Sequence, residues 1–269
     1  MKLPGVHRHM HEAMATRWEL HLVCPDPGIA RQAALEAFAL ADRLESRLSR
    51  FRAGSEIAVL SHLPAGAPWR VSDATWDCLE LALAVHSETH GAFDITLTPL
   101  YDPRRCSGDP VIGMEHIHLD ADRRCVILSG APLYLDLGGI GKGYALDEMI
   151  SVLASWEIEN ALLISGYSTI LAIGNAPDQQ GWPVRAGPPS DPPVHLCNQA
   201  LSASGFETRG WHIVDPRTRK TVTTPRRRSW VFTSSGALAD ALSTAILVMN
   251  DEEIDRFCGR HPQITVMLS

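Results

Sequence analysis

The chain has 269 residues, is 45% hydrophobic and 20% charged, and carries a formal net charge of −7 at pH 7. That length buries a real core, in one large domain or two intimate lobes. The acidic balance does not suggest a nucleic-acid partner, and no apolar run approaches the length that crosses a bilayer. The six cysteines (Cys24, Cys78, Cys106, Cys125, Cys197, Cys258) are scattered with no C-x-x-C pair. That spacing argues against a zinc or redox motif and fits a reducing compartment. The first twelve residues lack both a signal-peptide apolar core and a cysteine for lipid attachment. The expectation is a cytoplasmic protein with no membrane anchor.

The elements read as follows in chain order. Residues 1–13, with His7, His9 and His11, read as a flexible tail. Trp18, Leu20 and Leu22 alternate with polar residues and predict a strand within Met14–Val23. Leu40, Leu44 and Leu48 predict a long helix over Gly28–Ser49, and Ser55 caps a short helical run to Ser61. Ser72 or Asp73 opens a helix with Trp76, Leu79, Leu83 and His86 on one stripe, closed by Gly91. Gly91–Leu100 looks like a strand, in which Asp94 needs a partner if buried. Tyr101–Pro110 reads as a loop, and His116–Leu119 with Cys125–Leu128 as a hairpin.

Leu135–Asp147, L-D-L-G-G-I-G-K-G-Y-A-L-D, is the stretch most charged with meaning. Gly138, Gly139, Gly141 and Gly143 lie between an apolar run (Leu133–Leu135) and a helix-forming run (Tyr144–Leu153). Strand, glycine loop and helix together present backbone N–H groups to an anion. The spacing fits neither the dinucleotide fingerprint nor the Walker loop. Two readings stay open on the residues alone: a seat for a phosphate-bearing ligand, or a structural glycine turn.

Further on, Ala161–Ser165, Thr169–Ile173, Trp182–Ala186, Trp230–Thr233 and Gln263–Leu268 predict strands. Arg226–Arg228, with Arg217, Arg219 and Lys220, reads as an anion-facing patch or a solvated loop. Gly236–Met249 is an apolar helix on which Asp240 and Thr244 share a face and call for polar company, such as a metal or a phosphate. Strands and helices mix without strict βαβ alternation, which favours an α+β fold.

Seven segments occur together: M-A-T near the start, L-S-R-F-R-A-G-S-E-I, G-A-F-D-I-T, L-D-L-G-G-I-G-K-G-Y-A, S-A-S-G, H-I-V-D-P-R-T and A-D-A-L-S-T-A. In this order, from Met14 to the C-terminus, they resemble the FAD:protein FMN transferase (ApbE) family. The resemblance implies an ApbE-like fold over 1–269, with mixed sheets and packed helices in two intimate lobes forming one globular unit. It implies an enzyme that transfers the FMN half of FAD to a Ser or Thr hydroxyl of an acceptor protein and releases AMP, with Mg²⁺ required. Met14, Phe51, Ala92, Phe93, Asp94, Asp136, Lys142 and Val214 would line the FAD site. The Gly139 carbonyl, Asp240 and Thr244 would hold the metal, and His212 would be the catalytic base. Such a donor set suits Mg²⁺, which takes oxygen ligands and substrate phosphates.

The chain also departs from the family pattern. It has Y-D-P-R-R-C where the family carries an L-W-G-F-G-like segment, Tyr167-Ser168-Thr169 for G-G-D, and Thr218-Arg219 for Thr-Gly. The first two bear on the flavin or acceptor, so an FAD pyrophosphohydrolase and a non-catalytic FAD-binding protein stand as alternatives.

Overall fold

The computed structural model describes residues 5–166, 168–187, 191–206, 213–224 and 228–269. His212, Tyr167, Arg226 and Arg227 fall outside them. The chain begins with strands β1 (Val6–Ala13) and β2 (Thr16–Val23). They pair antiparallel around a two-residue turn in which Met14 (φ 51°) and Ala15 (φ 56°) are left-handed, as a tight hairpin requires. The reading of residues 1–13 as a tail therefore fails from Val6 onward. The alternation of His7, His9 and His11 is that of a paired edge strand.

Helices α1 (Pro27–Leu48), α2 (Glu56–Leu60) and α3 (Asp73–Glu88) surround β3 (Pro68–Arg70) in sequence. Asp26 caps α1, Ser55 caps α2 and Ser72 caps α3, each accepting backbone N–H bonds. The Gly91–Leu100 segment is not the expected strand. Asp94 Oδ1 takes the Thr96 N–H and hydroxyl, each at 2.6 Å, and curls the backbone into a turn, and the short helix α4 (Thr98–Tyr101) follows. Strands β4 (Ile117–Asp120) and β5 (Cys125–Leu128) form the expected hairpin, in a small sheet ordered β3-β5-β4.

Leu133–Leu135 is extended but not a strand. Its backbone partners are single groups: Ser61 O receives Leu133 N, and Ser61 Oγ receives Leu135 N. Helix α5 (Gly141–Ser155) then leads into β6 (Ala161–Ser165), β7 (Thr169–Ile173), β8 (Trp182–Val184), β9 (Val194–Leu196) and β10 (Gln199–Gly205). The two-stranded β11 (Val214–Asp215) and β12 (Lys220–Thr221) precede β13 (Arg228–Thr233), α6 (Gly236–Val248), α7 (Asp251–Arg260) and β14 (Thr265–Leu268).

The main sheet has seven strands in the order β1-β2-β6-β7-β10-β13-β14, every neighbouring pair antiparallel. Strand alternation sends Trp18, Leu20, Leu22, Leu163, Leu171, Ala200 and Val231 into one core with α1, α5 and α6. The residues between them, including Leu162, Ala172, Leu201, Trp230 and Phe232, form a second core with Trp182 and Leu196 of the β8–β9 hairpin. Both faces are thus buried, as an α+β layer requires. No helix among the described residues is long and apolar enough to cross a membrane.

Candidate functional site

The helix-facing side of the sheet is largely apolar, with a group of hydroxyl residues beneath α6. There the same alternation turns Thr169, Ser202 and Ser204 toward the helix. The Asp240 side chain, 6% exposed, meets them. Its Oδ1 accepts from the Thr169 hydroxyl (3.2 Å) and the Ser202 hydroxyl (3.3 Å). One turn later the Thr244 hydroxyl lies 3.1 Å from Ser204 Oγ, which also meets Ser243 Oγ at 2.8 Å. These hydroxyls give the buried carboxylate the polar company its burial demands.

The other carboxylate oxygen faces the glycine loop. Asp240 Oδ2 accepts from the Lys142 ammonium at 3.1 Å and from Gly143 N at 3.4 Å, and the same ammonium donates to Gly138 O at 2.7 Å. Backbone proximity makes this possible. A Cβ on Gly143 would overlap the carbonyl of Gly236, and one on Gly236 would lie 2.7 Å from Gly143 O. The starts of α5 and α6 therefore touch backbone to backbone. None of the four loop glycines has a positive φ, so glycine serves close approach here rather than handedness. Asp147 locks the junction from α5, taking Gly236 N (2.6 Å), Ala237 N (2.9 Å) and the Ser235 hydroxyl (2.8 Å) at the start of α6. Burial pushes its carboxyl above the usual carboxylate range, against the pull of those three bonds.

Phe93 and Gly139 adjoin this cluster. A Cβ on Gly139 would stand 3.4 Å from Phe93 Cε2 and 3.8 Å from Thr244 Oγ1. Ala92 and Phe93 are buried. His86 Nδ1 donates to Phe93 O at 2.7 Å, which gives that histidine an anchoring task. Asp94 follows, its carboxyl raised chiefly by burial, and Asp136 N donates to Ile95 O at 2.8 Å, tying this segment to the glycine loop.

Asp136 is held from within on both oxygens and is partly exposed. Its Oδ1 takes Gly138 N (2.7 Å), and its Oδ2 takes the Tyr101 hydroxyl (2.5 Å). Arg50 Nε also lies 2.9 Å from Oδ2, an ion pair by distance whose N–H is not aimed along the bond. The Arg50 guanidinium grips Asp102 through both terminal nitrogens at 3.1 Å. Tyr101 is 41% exposed as a residue, yet its hydroxyl turns inward. Burial, followed by the Asp136 charge, raises its pKa strongly. Phe51 is 58% exposed, with the guanidiniums of Arg50 (4.2 Å) and Arg105 (4.8 Å) over its ring.

Of the residues read from the sequence, Phe93, Gly139, Lys142, Asp240 and Thr244 come together. Asp94 and Asp136 stand beside them, and Phe51 joins through Arg50. Met14, at the tip of the first hairpin, and Val214, in β11, have no hydrogen bond or ion pair to this cluster among the described residues. His212 lies outside the described residues. Arg217 is not an anion-facing residue: it pairs with Asp215 (3.0 Å) and Glu253 (2.6 Å). Sequence reasoning missed Thr169, Ser202, Ser204, Arg50 and Tyr101. The first three carried a signal, small hydroxyl residues at alternate strand positions; Arg50 lay inside the L-S-R-F-R motif and Tyr101 headed the departing Y-D-P-R-R-C segment, but neither pointed to Asp136.

Among the described residues, no three His, Cys, Asp or Glu side chains gather as a metal site. The oxygens near Asp240 are its own carboxylate, the hydroxyls of Thr169 and Ser202, and the Gly138 carbonyl that shares Lys142 with it. The Lys142 ammonium held between Asp240 and Gly138 O shows that this place accepts a cation. A site with a single carboxylate suits a hard divalent ion that keeps water and substrate phosphates in its shell.

Fold and site together define an α+β protein in which a buried carboxylate on α6 holds an ammonium against a glycine loop. The ApbE family model matches residues 14–268, and the chain belongs to that family. It is 25% identical to the FAD:protein FMN transferase of Klebsiella pneumoniae, over 90% of this chain and 78% of that protein. It is 26% identical to the Vibrio cholerae protein of the same name, over 89% and 80%. The apo crystal structure of the Pseudomonas stutzeri flavinyl transferase ApbE has the same fold, with a TM-score of 0.86 at 23% identity, covering 100% of this chain and 93% of that one.

Proposed function

We propose that this chain is an Mg²⁺-dependent flavin transferase that moves the FMN moiety of FAD onto a Ser or Thr hydroxyl of an acceptor protein. The observation that carries the reading is the buried Asp240 carboxylate facing the glycine loop with Thr244 on the same helix face. Family membership over 14–268 supports the activity and a single transferase domain. The six cysteines, all unpaired, support a reducing, cytoplasmic setting.

In the reaction the acceptor oxygen bonds to the FMN phosphorus. The bond from that phosphorus to the bridging oxygen breaks, and AMP departs with the bridging oxygen. His212 takes the hydroxyl proton. Asp240, Thr244 and the Gly139 carbonyl would hold Mg²⁺, which when bound would neutralise charge on the pyrophosphate and the leaving AMP. Lys142 would meet the phosphates. Phe93 packs beside Gly139, and the exposed Phe51, with Arg50 and Arg105 over its ring, would meet part of the ligand. Asp136, held by Gly138 and Tyr101 with Arg50 alongside, shapes the loop and would keep a partly exposed carboxylate for the ligand. Phosphoryl transfer is mostly positioning and charge neutralisation, and this constellation supplies both.

The test is incubation with FAD, Mg²⁺ and peptides carrying Ser or Thr, scored by AMP release and peptide mass. AMP release with a matching FMN adduct is expected, and loss of both in Asp240→Ala. Free FMN and AMP without acceptor would make the protein a pyrophosphohydrolase. Tight FAD binding with no AMP would make it a binding protein.

A further inference from the structure

Lys142 is held by two acceptors of different kinds, the Asp240 carboxylate and the Gly138 carbonyl. Both belong to the surroundings of the candidate metal site. Its side chain is 22% exposed, so Lys142 is partly open to solvent. The carboxylate it neutralises is buried beneath a helix, where an unpaired charge is strongly unfavourable.

From this arrangement we infer that Lys142 is a built-in placeholder: its ammonium occupies the cation position at Asp240 in the metal-free protein and is displaced when a divalent cation binds. The inference rests on the reading of Asp240 as a metal ligand and adds to it. Both cations compete for one carboxylate oxygen, Oδ2, because Oδ1 is committed to Thr169 and Ser202. Metal entry therefore has to break the Lys142 pair, and this weakens metal binding to the free protein. The released ammonium, on a flexible stem in the first turn of α5, is then available to an anionic phosphate. Metal and phosphate ligand are thereby coupled: an anion that draws Lys142 away frees Asp240 for the metal, and by linkage the metal frees Lys142 for the anion.

The test uses Mn²⁺ alone, titrated into the full chain at fixed pH and followed by the electron paramagnetic resonance signal of free Mn²⁺. Lys142→Met, which keeps the stem and removes the charge, is expected to bind Mn²⁺ at least ~5-fold more tightly than the parent, the lower end of typical coupling between linked sites. Lys142→Arg should stay with the parent, and Asp240→Asn should lose binding. In thermal melts Mn²⁺ should stabilise Lys142→Met more than the parent. If Lys142→Met is unfolded without metal, refolding on Mn²⁺ addition supports the placeholder and failure to refold overturns it. Equal or weaker binding by a folded Lys142→Met, with the parent still tighter than Asp240→Asn, overturns the placeholder alone. Equal binding by the parent and Asp240→Asn overturns the metal assignment and the placeholder with it.

Discussion

Asp94 and Asp240 are both enclosed carboxylates, and they differ in what neutralises them. Asp240 has a lysine; Asp94 has the hydroxyl and amide of Thr96. Burial outweighs those two bonds and lifts the Asp94 pKa. The folded chain therefore keeps that proton to a higher pH than the unfolded chain does. Its contribution to stability is complete below the ordinary carboxylate range and is lost as pH rises through the raised value. Asp94→Asn should flatten the dependence of unfolding free energy on pH from the ordinary carboxylate range upward. Urea melts across that range check it, and identical slopes in parent and variant would refute the assignment. The need for a partner at Asp94 was legible from its place between Phe93 and Ile95. That the partner is two residues away, and bends the chain out of a strand, was not.

At the level of elements, the contact between the starts of α5 and α6 governs the site. Lys142 reaches Asp240 because Gly143 and Gly236 allow the two backbones to touch. Gly143→Ala forces a methyl group into a backbone carbonyl that α6 cannot easily move, since Asp147 grips that end of the helix. The expected cost is about 1–3 kcal/mol, the range for overpacking a close-packed interior. A lowered Tm and weakened metal binding should appear together; unchanged values of both would show that the helices are not held this closely. The glycine cluster was visible in the sequence, with an anion cradle and a plain turn both open. The observed arrangement is a third: a helix-to-helix contact that brings a lysine to a carboxylate nearly a hundred positions away.

For the whole molecule, the sheet carries hydroxyls beneath α6 while α5 and the glycine loop close over the same carboxylate, so ligand binding and global stability are linked. FAD with Mg²⁺ should raise Tm by mass action, by an amount that grows with ligand concentration. Asp240→Ala should lose the part of the shift that depends on Mg²⁺, and a shift indifferent to both Mg²⁺ and Asp240 would place the ligand elsewhere. By itself the sequence determined the α+β class, the long helices, the Ser55 and Ser72 caps, most strands of the main sheet and the family, because period, capping residues and ordered motifs are local properties of the chain. It also marked Asp240 and Thr244 as facing one way on an apolar helix, since four residues make about one turn. Tertiary structure alone decided that residues 6–13 are an edge strand, that Asp136 spends its oxygens on Arg50, Tyr101 and Gly138, and that Lys142 sits on Asp240. The contacts of Asp136 with Arg50 and Tyr101, and of Lys142 with Asp240, join segments separated by tens of residues. Their geometry is set by how the helices close over the sheet, which no local pattern specifies.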